Sequence, residues 1–306
     1  MGEAIVSTFP SITGEELETR MWLPEGEPRA VVQLVHGMAE HIARYDAAAR
    51  RLNEAGFLVV GHTHLGHGQA AELLGWFAQE HGWDALVEDV HTLRKNTQAA
   101  YPSLPYFLLG HSMGSFITRA YIQRFESGLR GVILSGTGHF EPLILNAGLA
   151  IANLQCLFGM EKKPSKLLES ISFAGYNKEF EPVRTSHDWL SKDHEIVDQY
   201  LADPYCGYPF TAGGYRDFFQ GLKGLSPKNL AGMDKEVPIL LFSGASDPVG
   251  GRGAGVNITA DELLAAGVRD VRVKLYENGR HEMLNEIQRD EVLDDLVTWL
   301  EQHLQA

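Results

Sequence analysis

The sequence predicts an α/β fold in which a mostly parallel central sheet, flanked by helices, is interrupted by an inserted helical cap. Continuous apolar runs alternate with helical patterns, as in sheets that are buried on both faces. These runs are 30–35, 57–60, 107–110, 131–135, 238–243 and 271–276. No strand-like run occurs between Gly136 and Val237, after which the sheet resumes. We therefore expect a core formed by residues 1–136 and 237–306 and a cap formed by residues 137–236.

The remaining elements follow from local patterns. Residues 6–23 alternate loosely around the turn at Gly14, which predicts an antiparallel hairpin at a sheet edge. Helical spacing of apolar residues and helix-ending glycines predict five helices in the core. They are 41–55, 83–100, 115–125, 261–266 and 286–304. In the cap, the pattern predicts a helix over 143–158 with one apolar face, which could either line an acyl pocket or pack on the sheet domain.

The chain is acidic, with a formal net charge of −14 over 306 residues. Nucleic acids and anionic membranes repel such a chain, so neither is expected as a main partner. Cys156 and Cys206 form no Cys-x-x-Cys pair, which favours reduced thiols in a cytoplasmic protein, with a disulfide between them left open. Residues 1–10 lack a signal-peptide pattern. The least charged stretch, 142–160, is too interrupted by polar residues for a membrane span, so we expect at most transient membrane contact through the cap.

The pattern Gly-x-Ser-x-Gly at residues 110–114 follows an apolar strand and precedes a helical pattern. A serine on such a strand-to-helix turn stands clear of the sheet edge, and the tight turn leaves no room for side chains at Gly110 and Gly114. The motif alone is weak evidence, but its position between a strand and a helix is the required one. Ser112 is therefore the predicted nucleophile.

A serine nucleophile needs a histidine base and an acid that orients the histidine. In chains of this type the order is Ser, then Asp or Glu, then His, each after a strand. Asp247 follows the strand that ends at Ser243, and His281 follows the strand that ends near Tyr276. Alone, Asp247 could be a turn residue before proline and His281 a surface-loop histidine. Together with Ser112 they predict a catalytic triad, with Asp234 as the reserve acid.

The tetrahedral intermediate of acyl transfer carries an oxyanion, which backbone N–H groups stabilise. One should come from Met113, directly after the nucleophile. The other should come from Met38, in the loop after the strand 31–35. His36 is expected to brace this loop rather than to take part in catalysis.

Several short motifs occur together in this chain. They are His36-Gly37-Met38-Ala39-Glu40-His41 with Arg44-Tyr45, the 110–114 elbow, Ser246-Asp247-Pro248-Val249-Gly250, Arg280-His281-Glu282, Asp188-Trp189-Leu190-Ser191 and Asp203-Pro204-Tyr205-Cys206-Gly207. Together they closely resemble the monoglyceride lipase and lysophospholipase-like branch of the α/β-hydrolases, over nearly the whole chain. The resemblance implies the α/β-hydrolase fold, the triad Ser112, Asp247 and His281, and an oxyanion hole formed by the Met38 and Met113 amides.

One loop departs from that family pattern. Where the family usually reads Asp-His-Arg-Gly-His-Gly, this chain has Thr-His-Leu-Gly-His-Gly at 63–68. With His62, His64 and His67, the departure produces a His-x-His-x-x-His spacing that zinc hydrolases use. Gly66 stands where such sites place an acidic residue, so zinc catalysis is the remote alternative. A non-catalytic binder that retains the fold is another, although no triad member is missing.

The predicted activity is carboxylic-ester hydrolysis through an acyl-enzyme, without a cofactor or a metal. The resemblance favours a small-molecule ester, such as a monoacylglycerol or a lysophospholipid, over a non-lipid carboxylesterase substrate with a short-acyl or aromatic group. Substrate choice should lie in the cap, since the triad is common to many activities. The candidate substrate-binding residues there are Leu143, Leu149, Phe158, Phe173 and Tyr176. The sequence leaves the oligomeric state open.

Overall fold

The computed structural model describes residues 3–125 and 128–304. Its strands form one eight-stranded sheet with the order β1-β2-β4-β3-β5-β6-β7-β8. The strands are β1 (Ile5–Pro10), β2 (Glu16–Trp22), β3 (Ala30–Val35), β4 (Phe57–His62), β5 (Tyr106–His111), β6 (Gly131–Ser135), β7 (Ile239–Gly244) and β8 (Val271–Tyr276). β2 pairs antiparallel with β1 and β4, and all other pairs are parallel. The predicted mostly parallel sheet and its edge hairpin are therefore confirmed.

The central strands are apolar throughout because both faces of the sheet are covered. In β5, Leu108 faces one apolar cluster, while Phe107 and Leu109 face the other. The helices are α1 (Asp46–Glu54), α2 (Gly82–Ala100), α3 (Met113–Arg124), α4 (Pro142–Leu157), α5 (Lys166–Ser172), α6 (His194–Ala202), α7 (Ala212–Gly224), α8 (Ala254–Ala265) and α9 (Arg289–Leu304). We call residues 137–236, which include α4 to α7, the cap segment. None of the helices in the described residues is long and apolar enough to span a membrane.

Several predicted helix boundaries were wrong. The segment predicted as a helix from residue 41 is a 3₁₀ turn over Ile42–Tyr45 before α1. α8 begins at Ala254 rather than at residue 261. The residue before it, Gly253, has a φ of 87°, a conformation that favours glycine and separates the helix from the preceding glycine-rich loop. α9 begins after Glu286 because that buried carboxylate accepts hydrogen bonds from Ser191 Oγ and the Lys192 amide, outside the helix.

Four helices, α4 to α7, and a 3₁₀ turn at Pro227–Gly232 lie between β6 and β7. Among the described residues of this segment, β-pairing is limited to a single bridge between Pro164 and Thr211. α4 packs closely on α7, since a Cβ placed on Gly148 would lie 3.0 Å from the Phe219 ring. Residues 1 and 2, the start of the segment without a signal-peptide pattern, lie outside the described residues.

Candidate active site

Ser112 occupies a sharp turn between β5 and α3. Its φ of 52° and ψ of −120° lie outside the regions that most residues adopt, a strain that costs about 1–3 kcal/mol and is typical of functional positions. The flanking glycines are required by close backbone contacts. A Cβ on Gly110 would lie 2.3 Å from the Gly114 carbonyl oxygen, and one on Gly114 would lie 1.9 Å from the Val35 carbonyl oxygen. The Gly-x-Ser-x-Gly sequence therefore forms the elbow that its spacing predicts.

Asp247 and His281 are buried and directly hydrogen-bonded, with His281 Nδ1 3.0 Å from Asp247 Oδ2. Asp247 also accepts hydrogen bonds from Ser243 Oγ, at 2.8 Å, and from the Val249 amide, at 2.9 Å, which fix its position. Burial lowers the pKa of His281, but the Asp247 carboxylate, together with Glu282 and Glu40, raises it more, so the net pKa lies above 6.5. The histidine is thus oriented and made more basic by the acid that the sequence predicts as its partner.

The structure brings Ser112 and His281 to the lining of one cavity. In residues 3–125 and 128–304, Ser112 Oγ makes no hydrogen bond. The His281 ring packs between two aromatic rings, 4.8 Å from His111 and 5.1 Å from Trp189 between centroids. The reserve acid Asp234 lies before β7 in the chain, in a different surface pocket.

Two backbone amides near Ser112 have no acceptor among the described residues. Met113 is the first residue of α3, so its N–H has no acceptor within the helix. The Met38 amide likewise donates no hydrogen bond in the described part of the chain. The loop that contains Met38 lies against the elbow, since a Cβ on Gly37 would be 3.2 Å from Ser112 Cβ. This geometry leaves two donors beside the serine for a developing oxyanion.

A charged network that sequence reasoning missed holds the Met38 loop to the His281 loop. Glu40 accepts hydrogen bonds from the Gly37 amide, at 2.6 Å, and from the Tyr45 hydroxyl, at 2.8 Å. Arg44 contacts Glu40 and forms two 2.8 Å hydrogen bonds with Glu282, the neighbour of His281 in sequence. Glu40, Arg44 and Glu282 all lie in the family motifs, but only their long-range contacts reveal that they form one bridge.

Ser112 and His281 line a cavity of about 450 Å³, whose other walls include residues of the cap segment. Much of its wall is apolar and comes from α4 and α7. The larger apolar residues contributed by these two helices are Ile144, Leu145, Ile151, Phe218, Phe219 and Leu222. A cavity of this size and lining suits a small apolar ligand.

The candidate cap residues are only partly placed at this cavity. Phe173 and Tyr176 line it. Leu143 and Phe158 are instead 80% and 74% exposed, and the half-buried Leu149 packs against the core without contributing to the cavity lining. The reason is the composition of α4, which is apolar on most of its surface, so that the sequence does not indicate which face turns inward.

Among the described residues, His62, His64 and His67 do not bring three ligand atoms within 4.8 Å of one another, as a metal site would require. His64 uses both ring nitrogens, with Nδ1 3.2 Å from His62 Nε2 and Nε2 3.1 Å from the His36 carbonyl oxygen. Burial lowers the pKa of His62 to about 3 and that of His67 to about 4, so these rings pack as neutral groups. His36 Nε2 accepts a 2.9 Å hydrogen bond from the His64 amide and so braces the loop, as predicted.

Among the described residues, the three metal-ligating side chains that gather within 4.8 Å are His41, Asp203 and Cys206. His41 Nε2 already bonds Asp203 Oδ2 at 2.8 Å. Burial raises the pKa of the Cys206 thiol, which disfavours the thiolate that a metal needs. This group therefore does not fit a metal centre.

A serine on a strand-to-helix elbow, beside a buried acid–histidine pair at the carboxyl edge of a mostly parallel sheet, is characteristic of α/β-hydrolases. The protein is a serine hydrolase of this class.

Comparison with known proteins specifies the family. The chain belongs to the family described as serine aminopeptidase, S33, whose model matches residues 26–288. It is 32% identical to the monoacylglycerol lipase of Mycolicibacterium smegmatis over 301 residues, 97% of each chain. It is 31% identical to the monoglyceride lipase of Homo sapiens, over 94% of this chain and 88% of the human protein. A solved carboxyl esterase from Bacillus coagulans, in complex with glycerol, superposes with a TM-score of 0.92 and 31% identity, covering 99% of this chain and all of that one.

Proposed function

We propose that the protein hydrolyses lipid monoesters, monoacylglycerols first among them, through an acyl-enzyme on Ser112. Ser112 Oγ attacks the ester carbonyl while His281 takes its proton, and Asp247 stabilises the imidazolium. The Met38 and Met113 amides donate hydrogen bonds to the oxyanion. His281 then protonates the leaving alcohol, and water, deprotonated by His281, releases the carboxylic acid and restores the serine.

The apolar cavity that adjoins Ser112 is the observation that carries this proposal. Its wall of aliphatic and aromatic side chains offers an acyl chain a site away from water. The family name also raises an aminopeptidase activity, which needs a free carboxylate to bind an N-terminal amine. At the Ser112 end of the cavity, both Glu40 and Glu282 are already paired with Arg44. Glu169 is a further carboxylate of the lining, but most of the wall is apolar, which favours an ester with an apolar acyl chain over a peptide substrate.

Residues 137–236 act in this proposal as the cap. On its outer side, Leu143, Leu157 and Phe158 are each more than 70% exposed. An apolar patch of this kind suits transient contact with a lipid surface. Two free cysteines, Cys156 and Cys206, support the proposed cytoplasmic location.

The test is the reaction of Ser112 with a fluorophosphonate, measured by intact mass. We expect one adduct on the wild type and none on Ser112→Ala. The control Ser103→Ala, a change at an exposed loop serine, should form one adduct as well. Hydrolysis should be insensitive to chelators. An adduct that persists in Ser112→Ala would overturn the assignment.

A carboxylesterase acting on short-acyl or aromatic esters is the second candidate, favoured by the similarity to the Bacillus coagulans carboxyl esterase. p-Nitrophenyl esters of graded chain length, together with monoacylglycerols, separate the two. We expect kcat/KM to rise from acetate toward medium or long chains. An optimum at acetate, with no monoacylglycerol turnover, would favour the second candidate.

A further inference from the structure

The cavity is not uniform along its length. Glu40 lies in the loop that contacts Ser112, and Glu282 follows His281 in sequence. His187 adjoins Tyr200 and Gly207, which bond the Glu40 loop, so these three polar residues lie on the Ser112 side of the cavity. α4 and α7 contribute mainly apolar side chains to the lining. With the acyl chain in the apolar part, the alcohol half of an ester would extend into the polar end. The side chains with free hydrogen-bonding capacity at this end therefore decide which alcohols are accepted.

Most polar groups at this end are already engaged. Besides His187, the Tyr176 hydroxyl lines the cavity and makes no hydrogen bond among the described residues. Both oxygens of Glu282 bind the Arg44 guanidinium at 2.8 Å, and the oxygens of Glu40 accept from its own loop and from Arg44. His111 Nδ1 lies 3.1 Å from Ser135 Oγ. These groups support the loops that carry the catalytic candidates, so their positions are constrained by the protein itself.

His187, in the cap segment, differs from them. Its Nδ1 lies 2.9 Å from Ser186 Oγ, but its Nε2 has no hydrogen-bond partner among the described residues. Nε2 would be 3.6 Å from a Cβ on Gly207, and the ring lies 5.3 Å from that of Tyr200. The half-buried imidazole therefore presents one unsatisfied nitrogen beside the cavity.

This nitrogen is close to the proposed oxyanion loop. The Gly207 amide and the Tyr200 hydroxyl, both neighbours of His187, donate hydrogen bonds of 3.0 and 3.1 Å to the carbonyl oxygen of Ala39, the residue after Met38. Burial lowers the pKa of His187, although Glu282 and Asp188 raise it in part, so the ring is neutral at pH 7. A neutral ligand group is therefore the suitable partner.

We propose that His187 is a specificity-determining residue whose Nε2 forms a hydrogen bond with a hydroxyl group on the alcohol half of the ester. A hydroxyl both donates and accepts, so it satisfies Nε2 in either imidazole tautomer. The inference rests on the proposed ester hydrolysis. It predicts that His187 favours esters whose alcohol half has a free hydroxyl, such as glycerol esters, over esters of simple alkyl alcohols.

The experiment compares two esters with the same acyl chain, 1-monolauroylglycerol and methyl laurate, which differ in the hydroxyls. In His187→Phe, kcat/KM for monolauroylglycerol should fall about 3- to 10-fold, mainly through KM, as expected for one lost hydrogen bond. Turnover of methyl laurate should stay within about 2-fold. His187→Gln, which retains a polar group at the same reach, should restore at least half of the lost preference. His194→Phe, the same change at an exposed cap position, should match the wild type.

Two outcomes would overturn the inference. Equal losses on both esters in His187→Phe and His187→Ala would mean that His187 only supports the fold of the cap, and no loss on either ester would mean that it does not contact the alcohol. If the wild type hydrolysed neither ester, the proposed function itself would fail. The wild type alone reveals that result, so it cannot be confused with a failure of the inference about His187, which appears only in the variants.

Discussion

Arg44 provides the sharpest test of how the active site is held together. Its side chain is 11% exposed and lies between Glu40 and Glu282, each 4% exposed. It thereby joins the loop after β3 to the loop that carries His281. Arg44→Gln would leave two buried carboxylates without a cation, and breaking a buried pair in this way typically costs about 3–5 kcal/mol.

The magnitude follows from the pKa of Glu282. Burial raises this pKa, but Arg44 above all, with smaller effects of His111 and Asn285, lowers it further, to about 2 from an ordinary value of 4.5. A depressed carboxyl pKa contributes stability above the unfolded-state pKa and loses it as the pH falls from about 4.5 toward 2. A difference of roughly 2.5 pKa units corresponds to about 3 kcal/mol at neutral pH. We expect Arg44→Gln to lower the free energy of unfolding by about this amount at pH 7.

Urea unfolding at pH 7 of the wild type, Arg44→Gln, Glu282→Gln and the double variant measures the coupling directly. The double variant should be more stable than the sum of the single effects by about 2–3 kcal/mol, because it leaves fewer unpaired charges. Arg50→Gln, which removes an exposed pair with Asp46, is the control and should show no measurable change. Additive effects, or a cost below about 1 kcal/mol for Arg44→Gln, would refute the reasoning.

Three further predictions concern the elbow, the acid and the buried histidines. Asp247→Asn should lower kcat by about 10⁴-fold and shift the acidic limb of the pH–rate profile to lower pH, because His281 loses the charge that raises its pKa; an unshifted limb would contradict this. Gly114→Ala should lower kcat about 100-fold, because its Cβ would lie 1.9 Å from a β3 carbonyl oxygen. The control Gly224→Ala, whose Cβ would have nothing within 4 Å, should keep the wild-type activity. Equal activities of the two variants would be evidence against the elbow geometry. His67 is a base whose folded pKa of about 4 lies below the ordinary 6.5, so it contributes stability above pH 6.5 and loses about 1.4 kcal/mol per pH unit as the pH falls from 6.5 toward 4. His67→Phe should make unfolding free energies between pH 6.5 and 4.5 correspondingly less pH-dependent, and an unchanged slope would contradict that.

Local chemistry explains why much of this protein could be predicted. An apolar strand buried on both faces, such as β5, is recognisable without its neighbours. The elbow is recognisable because the turn that places Ser112 at a φ of 52° has room only for glycine at positions 110 and 114. Asp247 and His281 were indicated by their order after strands, since the carboxyl ends of parallel strands meet at one sheet edge.

Tertiary contacts decided what the sequence left open. The packing of α4 against α7 decided that Ile144, and not Leu143, lines the cavity. The sequence could not predict this, because a helix that is apolar on most of its surface does not indicate which face is buried. The start of α9 depended on Glu286, whose carboxylate binds Ser191 and Lys192, about 95 residues away. Arg44 likewise acquires its role only where two distant loops meet. The sheet, the elbow and the order of the triad candidates could be predicted because they rest on short-range sterics and strand burial. The shape of the cavity and the groups that brace it could not, because they rest on long-range packing between segments that are distant in the chain.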